Sequence, residues 1–228
     1  MNPDNIVITM DGTCGSGKST IAKRLADRLG IIYLDTGAMY RALTWKALQS
    51  GADLEDEEAL ARLAERTEIR LERGDEGTRV FVDGGEVTRE IRTPEVTNAV
   101  KFLADPPAVR EILVRRQREI GAMRPVVAEG RDTGTVVFPA ADFKFFIDAP
   151  IEVRTDRRYR EFLQKGIKTT REEVERDLKA RDHADYSRPV GALKMAEDGI
   201  LVDTGQTNDI QANLEKLVGI IESKRGKI

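Results

Sequence analysis

Residues 6–19 read I-V-I-T-M-D-G-T-C-G-S-G-K-S, and this stretch decides the fold. Ile6 to Met10 form a short β-branched apolar run ending in Asp11 and Gly12, the pattern of a buried strand that feeds a turn. Gly12 to Ser19 then matches G-x-x-x-x-G-K-[ST] at every fixed position. From Lys18 onward, Ile21, Ala22, Leu25, Ala26 and Leu29 recur at helical spacing, Gly30 closes the helix, and I-I-Y-L (31–34) is a second strand. Strand, glycine loop, helix and strand make a βαβ unit, hence a parallel sheet.

The loop has a chemistry. Its glycines let successive N–H groups converge on phosphate oxygens, and the helix that follows aims its positive end at the same anion. Gly12, Thr13, Cys14, Gly15, Ser16, Gly17, Lys18, Ser19 and Thr20 are therefore the expected ATP-binding set. Lys18 should contact the β- and γ-phosphates, and Ser19 should offer its hydroxyl to Mg2+. Asp11 either bonds the loop or approaches the metal indirectly, and Cys14 is a small filler.

The rest of the composition narrows the field. The 228 residues suit one large domain or a core with inserts, and 40% hydrophobic residues suffice for a core. No apolar run approaches the ~20 residues of a membrane helix, and the start lacks the pattern of a secretory signal, so a cytoplasmic location is expected. With 37 Lys+Arg against 40 Asp+Glu the net charge is −3, which argues against a nucleic-acid partner. One Cys and one His exclude a disulfide framework and a structural zinc site built from those residues. His183 has no nucleophile elbow to serve and reads as an exposed bystander. A base-reading N-K-x-D is missing, which removes the GTPase switches. Among the 37 cations, 25 are arginine, the residue suited to bidentate contact with phosphate.

Further along, 38–66 is expected to be helical with a break at Ser50-Gly51, and 67–72 and 78–84 alternate as a small antiparallel hairpin around an Arg-Gly-Asp-Glu-Gly turn. Residues 94–122 return to helix, broken at Pro106-Pro107. Buried strands are expected at 125–130, 143–148 and 199–204, Arg-rich helices at 151–165 and 171–185, and a closing helix at 208–224. The fold class is α/β: a P-loop kinase core with a five-stranded parallel sheet flanked by helices. Its expected parts are core at 1–35, 104–150 and 189–228, an insert carrying the hairpin at 36–103, and a helical Arg-rich lid at 151–188.

Three blocks carry a family resemblance: L-D-T-G-A-M-Y-R (34–41), E-I-R-T-P-E-V (90–96) and E-G-R-D-T-G-T-V-V-F-P (129–139). With the P-loop and R-D-H-A-D-Y-S-R (181–188), their order resembles bacterial cytidylate kinase, of the nucleoside monophosphate kinase group, nearly end to end. The resemblance implies ATP-dependent phosphorylation of CMP and dCMP with Mg2+, by a monomer with a mobile lid. It also implies that Thr36 and Arg41 bind the acceptor phosphate, and that Arg110, Arg131, Asp132, Arg181, Asp185 and Arg188 bind the acceptor. Where the family can use serine near the base, this chain has Lys101, whose role the resemblance leaves open. Arg131, Arg158, Arg188 and Lys18 are the expected catalytic cations.

Residue chemistry supports the same reaction. The acceptor oxygen is already anionic, so no strong base is needed and the demand is for cations. Glu129 ends a strand, where it either orients a metal-bound water or forms a local salt bridge. Arg154, Arg157 and Arg158 share one helix face and either clamp ATP phosphates or are neutralised by Glu152, Asp156 and Glu161. Asp148 reads as structural. A kinase of another acceptor, such as UMP or a non-nucleotide, and a non-catalytic nucleotide-responsive module are the competing readings.

Overall fold

The computed structural model describes residues 6–74, 77–207 and 209–225. The first five residues, the Asp75-Glu76 centre of the expected hairpin turn and the expected helix start at 208 lie outside them. Five strands form one parallel sheet: β1 (Val7–Gly12), β2 (Ile32–Asp35), β6 (Val126–Gly130), β7 (Phe143–Asp148) and β8 (Ile200–Asp203), in the order β2-β6-β1-β7-β8. The expected five-stranded parallel sheet is thus present. Because β1 sits between β6 and β7, the chain leaves it toward one side and returns on the other. Such a reversal of strand order marks the point where open α/β sheets bind ligands, at the carboxyl ends of the strands.

Apolar residues build the two faces of this sheet. On one, Ile8, Met10, Val127, Phe145 and Ile147 pack with Ile21 and Leu25 of α1 (Lys18–Leu29) and with Leu217 and Ile221 of α9 (Ile210–Arg225). On the other, Leu34 and Ala128 meet Met39, Tyr40 and Leu43 of α2 (Thr36–Gln49), Leu60 of α3 (Glu57–Arg66), and Leu113 of α6 (Pro107–Met123). Fully burying such side chains contributes about 1.5–3 kcal/mol each.

Helix α2 starts directly from β2 at Thr36, two residues before the apolar periodicity suggests. Asp35 is the reason, since its Oδ1 accepts from the Ala38 N–H at 2.7 Å and caps the helix. The same helix turns Ala38 and Ala42 to a smaller core under the antiparallel sheet β3 (Ile69–Gly74), β4 (Gly77–Val82) and β5 (Gly85–Glu86). The short β5 strand was not expected. The helical stretch after it divides into α4 (Pro94–Ala99), α5 (Lys101–Ala104) and α6. The stretch expected as the lid is a helix pair, α7 (Ile151–Gln164) and α8 (Arg171–Ser187), in which Thr170 and Glu173 form a capping box at the start of α8. Among the described residues no helix is long and apolar enough to cross a membrane.

Candidate active site

The phosphate loop is shaped by close backbone contacts. A Cβ on Gly12 would fall 1.9 Å from the Ile147 carbonyl oxygen, so only glycine lets β1 leave the sheet beside β7. Gly17 (φ 86°) precedes α1, whose first N–H groups receive no side-chain cap and stay available to an anion. Around the loop, Thr13 donates to Asp148 Oδ1 at 2.6 Å, and the Ser16 carbonyl accepts from Thr204 Oγ1 at 2.7 Å. Asp148 is thereby engaged with the loop's frame, as expected of a structural residue.

Lys18 is buried and donates to the Thr13 carbonyl at 3.1 Å, with its ammonium 3.7 Å from Glu129 Oε1. Burial, and next Arg131, hold that ammonium below its ordinary pKa. Ser19 Oγ donates to the same Glu129 oxygen at 2.9 Å, and Tyr33 OH donates to Oε2 at 2.5 Å. Glu129 therefore has a cationic neighbour and also accepts from Ser19, the hydroxyl expected at the metal. Thr20 is exposed and makes no bond to these residues.

Asp11 does not bond the loop. It turns to the other side, where its carboxylate accepts from Thr133 N at 2.8 Å, Thr133 Oγ1 at 2.7 Å and Gly134 N at 2.7 Å. It thereby anchors a single π-helical turn over Thr133–Val137, which the sequence did not announce. Burial pushes the Asp11 carboxyl up to about 6, against those hydrogen bonds.

Residues at the end of β6 and their partners from other elements carry the remaining chemistry. Thr36 donates to the Glu129 carbonyl at 2.8 Å, and Arg41 pairs with Asp35 at 3.1 Å. Arg131 donates from Nε to Asp185 Oδ2 at 2.5 Å. Arg188 joins Asp185 at 3.3 Å and Asp105 at 2.8 Å. Burial works against the Asp185 carboxylate, but Arg131 and Arg188 hold its pKa below the ordinary value. Asp132 is paired with Arg110, which also donates to the Ala104 carbonyl at 3.2 Å and lies over the Tyr40 ring. Gly191 (φ 71°) closes over this pair, since a Cβ there would fall 2.1 Å from Arg110 Nη2 and 2.4 Å from Asp132 Oδ2.

Some expected members are placed differently. Lys101 is exposed, stands over its neighbour Phe102 and bonds none of these residues, because its helix α5 is a single turn whose buried side belongs to Leu103 and Ala104. Arg181 faces the phosphate loop, 3.8 Å from Cys14 Sγ, and leaves Asp185 to Arg131 and Arg188. The three arginines of α7 divide their work. Arg154 is buried and donates to the carbonyls of Ala149 at 2.9 Å and Cys14 at 3.1 Å, and pairs with Asp182 at 2.7 Å. Arg157 donates to the Thr204 carbonyl at 2.7 Å, and Arg158 meets Glu161, a carboxylate of the same helix, at 2.7 Å. Arg116 and Arg118 donate to the carbonyls of Thr67 at 2.7 Å and Val136 at 2.7 Å. Asp182, Tyr33 and Gly191 carried no signal in the sequence beyond lying near residues that did.

One strand end thus sets a phosphate loop beside a cluster of buried and half-buried arginines, with the Glu129 carboxylate next to Lys18 and Ser19 of the loop. The sequence model for cytidylate kinase matches residues 8–223. The cytidylate kinase of Caldanaerobacter subterraneus subsp. tengcongensis is 44% identical over 223 residues, covering 98% of this chain and 98% of its own. That of Desulforamulus reducens is 48% identical over 207 residues, covering 90% of this chain and 93% of its own. A crystal structure of an uncharacterized protein from Eubacterium ventriosum shares the fold with a TM-score of 0.52 at 12% identity, covering 96% of this chain and 99% of that one. On these grounds the chain belongs to the cytidylate kinase family, and with it to the nucleoside monophosphate kinases.

Proposed function

We propose that the protein transfers the γ-phosphoryl group of ATP directly to CMP and dCMP, with Mg2+, as a monomer whose donor and acceptor sites share one strand end. The observation that carries this is the run Glu129, Arg131 and Asp132. Its first member bonds the phosphate-loop residue Ser19, its second bonds Asp185 of the lid, and its third is paired with Arg110.

Ser19 Oγ and Glu129 suit Mg2+, which keeps several waters and is held by one or two protein groups together with substrate phosphates. Held there, the ion would neutralise charge on the donor's phosphates during transfer. The protein's own residues do the rest. Loop N–H groups and Lys18 hold the donor's phosphates, and Arg154 fixes the loop from behind through the Cys14 carbonyl. Thr36, Arg41, Arg131 and Arg188 receive the acceptor phosphate, while Asp132 and Arg110 face its base. Arg158 and Arg181 approach the donor from the lid. Lining up two anions in this way is most of the catalysis, because the attacking oxygen needs no deprotonation.

The test is ADP release from ATP with CMP, dCMP, UMP, AMP and a non-nucleotide alcohol as acceptors. Turnover should be greatest with CMP and dCMP. Turnover greatest with any other acceptor, or none with any, would overturn the assignment.

A further inference from the structure

Glu129 is held from two sides. Ser19 donates to Oε1 at 2.9 Å from α1, and Tyr33 donates to Oε2 at 2.5 Å from β2. The register of the sheet produces the second contact: Asp35 lies opposite Glu129 and Tyr33 opposite Val127, so Tyr33 and Glu129 stand on the same face, the one that α1 covers. The Tyr33 ring is fixed among the apolar side chains between α1 and the sheet, with the Lys23 ammonium 5.7 Å from its centre.

The Lys18 ammonium stands 3.7 Å from Glu129 Oε1. A charge-assisted hydrogen bond closes to about 2.7–2.9 Å, so Glu129 is near Lys18 without gripping it. A glutamate has three rotatable bonds, and a buried one released on one side would swing to its nearest cation. That movement would take Lys18 from the donor's phosphates and turn Glu129 away from Ser19.

We infer that Tyr33 is a positioning residue: its hydroxyl tethers Glu129 Oε2, so that Oε1 stays on Ser19 and Lys18 remains available to phosphate. This rests on the proposed placing of the metal between Ser19 and Glu129, and it adds a residue that acts only through Glu129. No other described residue donates to Oε2.

The experiment is calorimetric binding of a non-hydrolysable ATP analogue, with and without Mg2+, to the wild type, Tyr33→Phe, Glu129→Gln and the double variant. The Phe ring keeps the packing of Tyr33, and a thermal melt checks that the fold is retained. Tyr33→Phe should lower the Mg2+-dependent gain in affinity about tenfold, the low end for losing an outer partner of a metal-facing group. In steady-state assays its kcat should fall by a similar factor with KM for CMP unchanged, and the double variant should be no worse than Glu129→Gln. If Glu129→Gln loses the Mg2+ gain while Tyr33→Phe retains it in full, the tether is overturned and the metal site stands. If both variants retain the gain, the metal assignment falls and takes the tether with it.

Discussion

Asp132 and Arg110 are paired with each other inside the protein, with side chains 9% and 4% exposed. A carboxylate alone could prefer cytosine, whose 4-amino group donates where uracil has a carbonyl. Paired with a guanidinium it offers an acceptor and a donor together, which suits the adjacent donor and acceptor on the cytosine edge and mismatches both on uracil. Wild-type kcat/KM should favour CMP over UMP by ten- to a hundredfold, about 1.5–3 kcal/mol. Asp132→Ala should bring the two within a few-fold, and Lys101→Ala should leave the ratio alone, since that side chain is exposed elsewhere. Equal wild-type values would refute the pairing as the base reader.

Lys18→Ala should lower kcat by a hundredfold or more, on the order of 3–4 kcal/mol of transition-state stabilisation. The cation is buried beside Glu129, so a shift in melting temperature of a few degrees should accompany the loss. A purified variant with near-normal turnover would contradict the phosphate-loop assignment.

Contacts within the protein tie the helix pair α7–α8 to the loop. Asp182 of α8 grips Arg154 of α7, and Arg154 in turn grips the Cys14 carbonyl. Arg154→Lys removes the fork that makes these contacts together. Its KM for ATP should rise about tenfold and its KM for CMP much less. Steady-state titration of each substrate checks this, and equal changes in both would mean a general loss of folding.

Asp11 sets a pH dependence of stability. Its carboxyl is raised to about 6 in the folded protein by burial, against an ordinary value near 4. The folded state therefore holds this proton more tightly than the unfolded chain. The resulting stability is complete below about pH 4 and is lost as pH rises through 6, a change of roughly 2–3 kcal/mol by linkage. Asp11→Asn has no such titration. The difference in unfolding free energy, wild type minus variant, should therefore fall between pH 4.5 and pH 7. A difference flat across that range would exclude the effect.

Much of this was legible in the residues. The phosphate loop announced its strand, turn and helix because glycine spacing and apolar periodicity are local facts, and the parallel sheet follows from them. The identity of the arginines was also readable, but their pairing was not. Arg181 and Asp185 are four apart on one helix, yet Asp185 pairs with Arg131, 54 residues away in sequence. Arg154, Arg157 and Arg158 share a helical face, but packing gives them the loop, Thr204 and Glu161. Lys101 was placed by likeness alone. Periodicity states which side of a helix faces inward and is silent about which neighbour waits there.

The run from Glu129 to Thr133 has a consequence for how such a protein can change over generations. Five successive residues bond Ser19, leave room for the Thr36 hydroxyl, engage Asp185 of α8, pair with Arg110 and donate to the Asp11 carboxylate. In this run a one-residue insertion or deletion would move every one of these side chains into its neighbour's place at once. On the proposed assignment, donor and acceptor chemistry cannot drift independently here, and altered acceptor preference would come more readily through partners outside the run, such as Arg110 on α6 or Gly191 after α8. Length variation is better absorbed in the connection from α7 to α8, whose turn at Gly166 has open space around it.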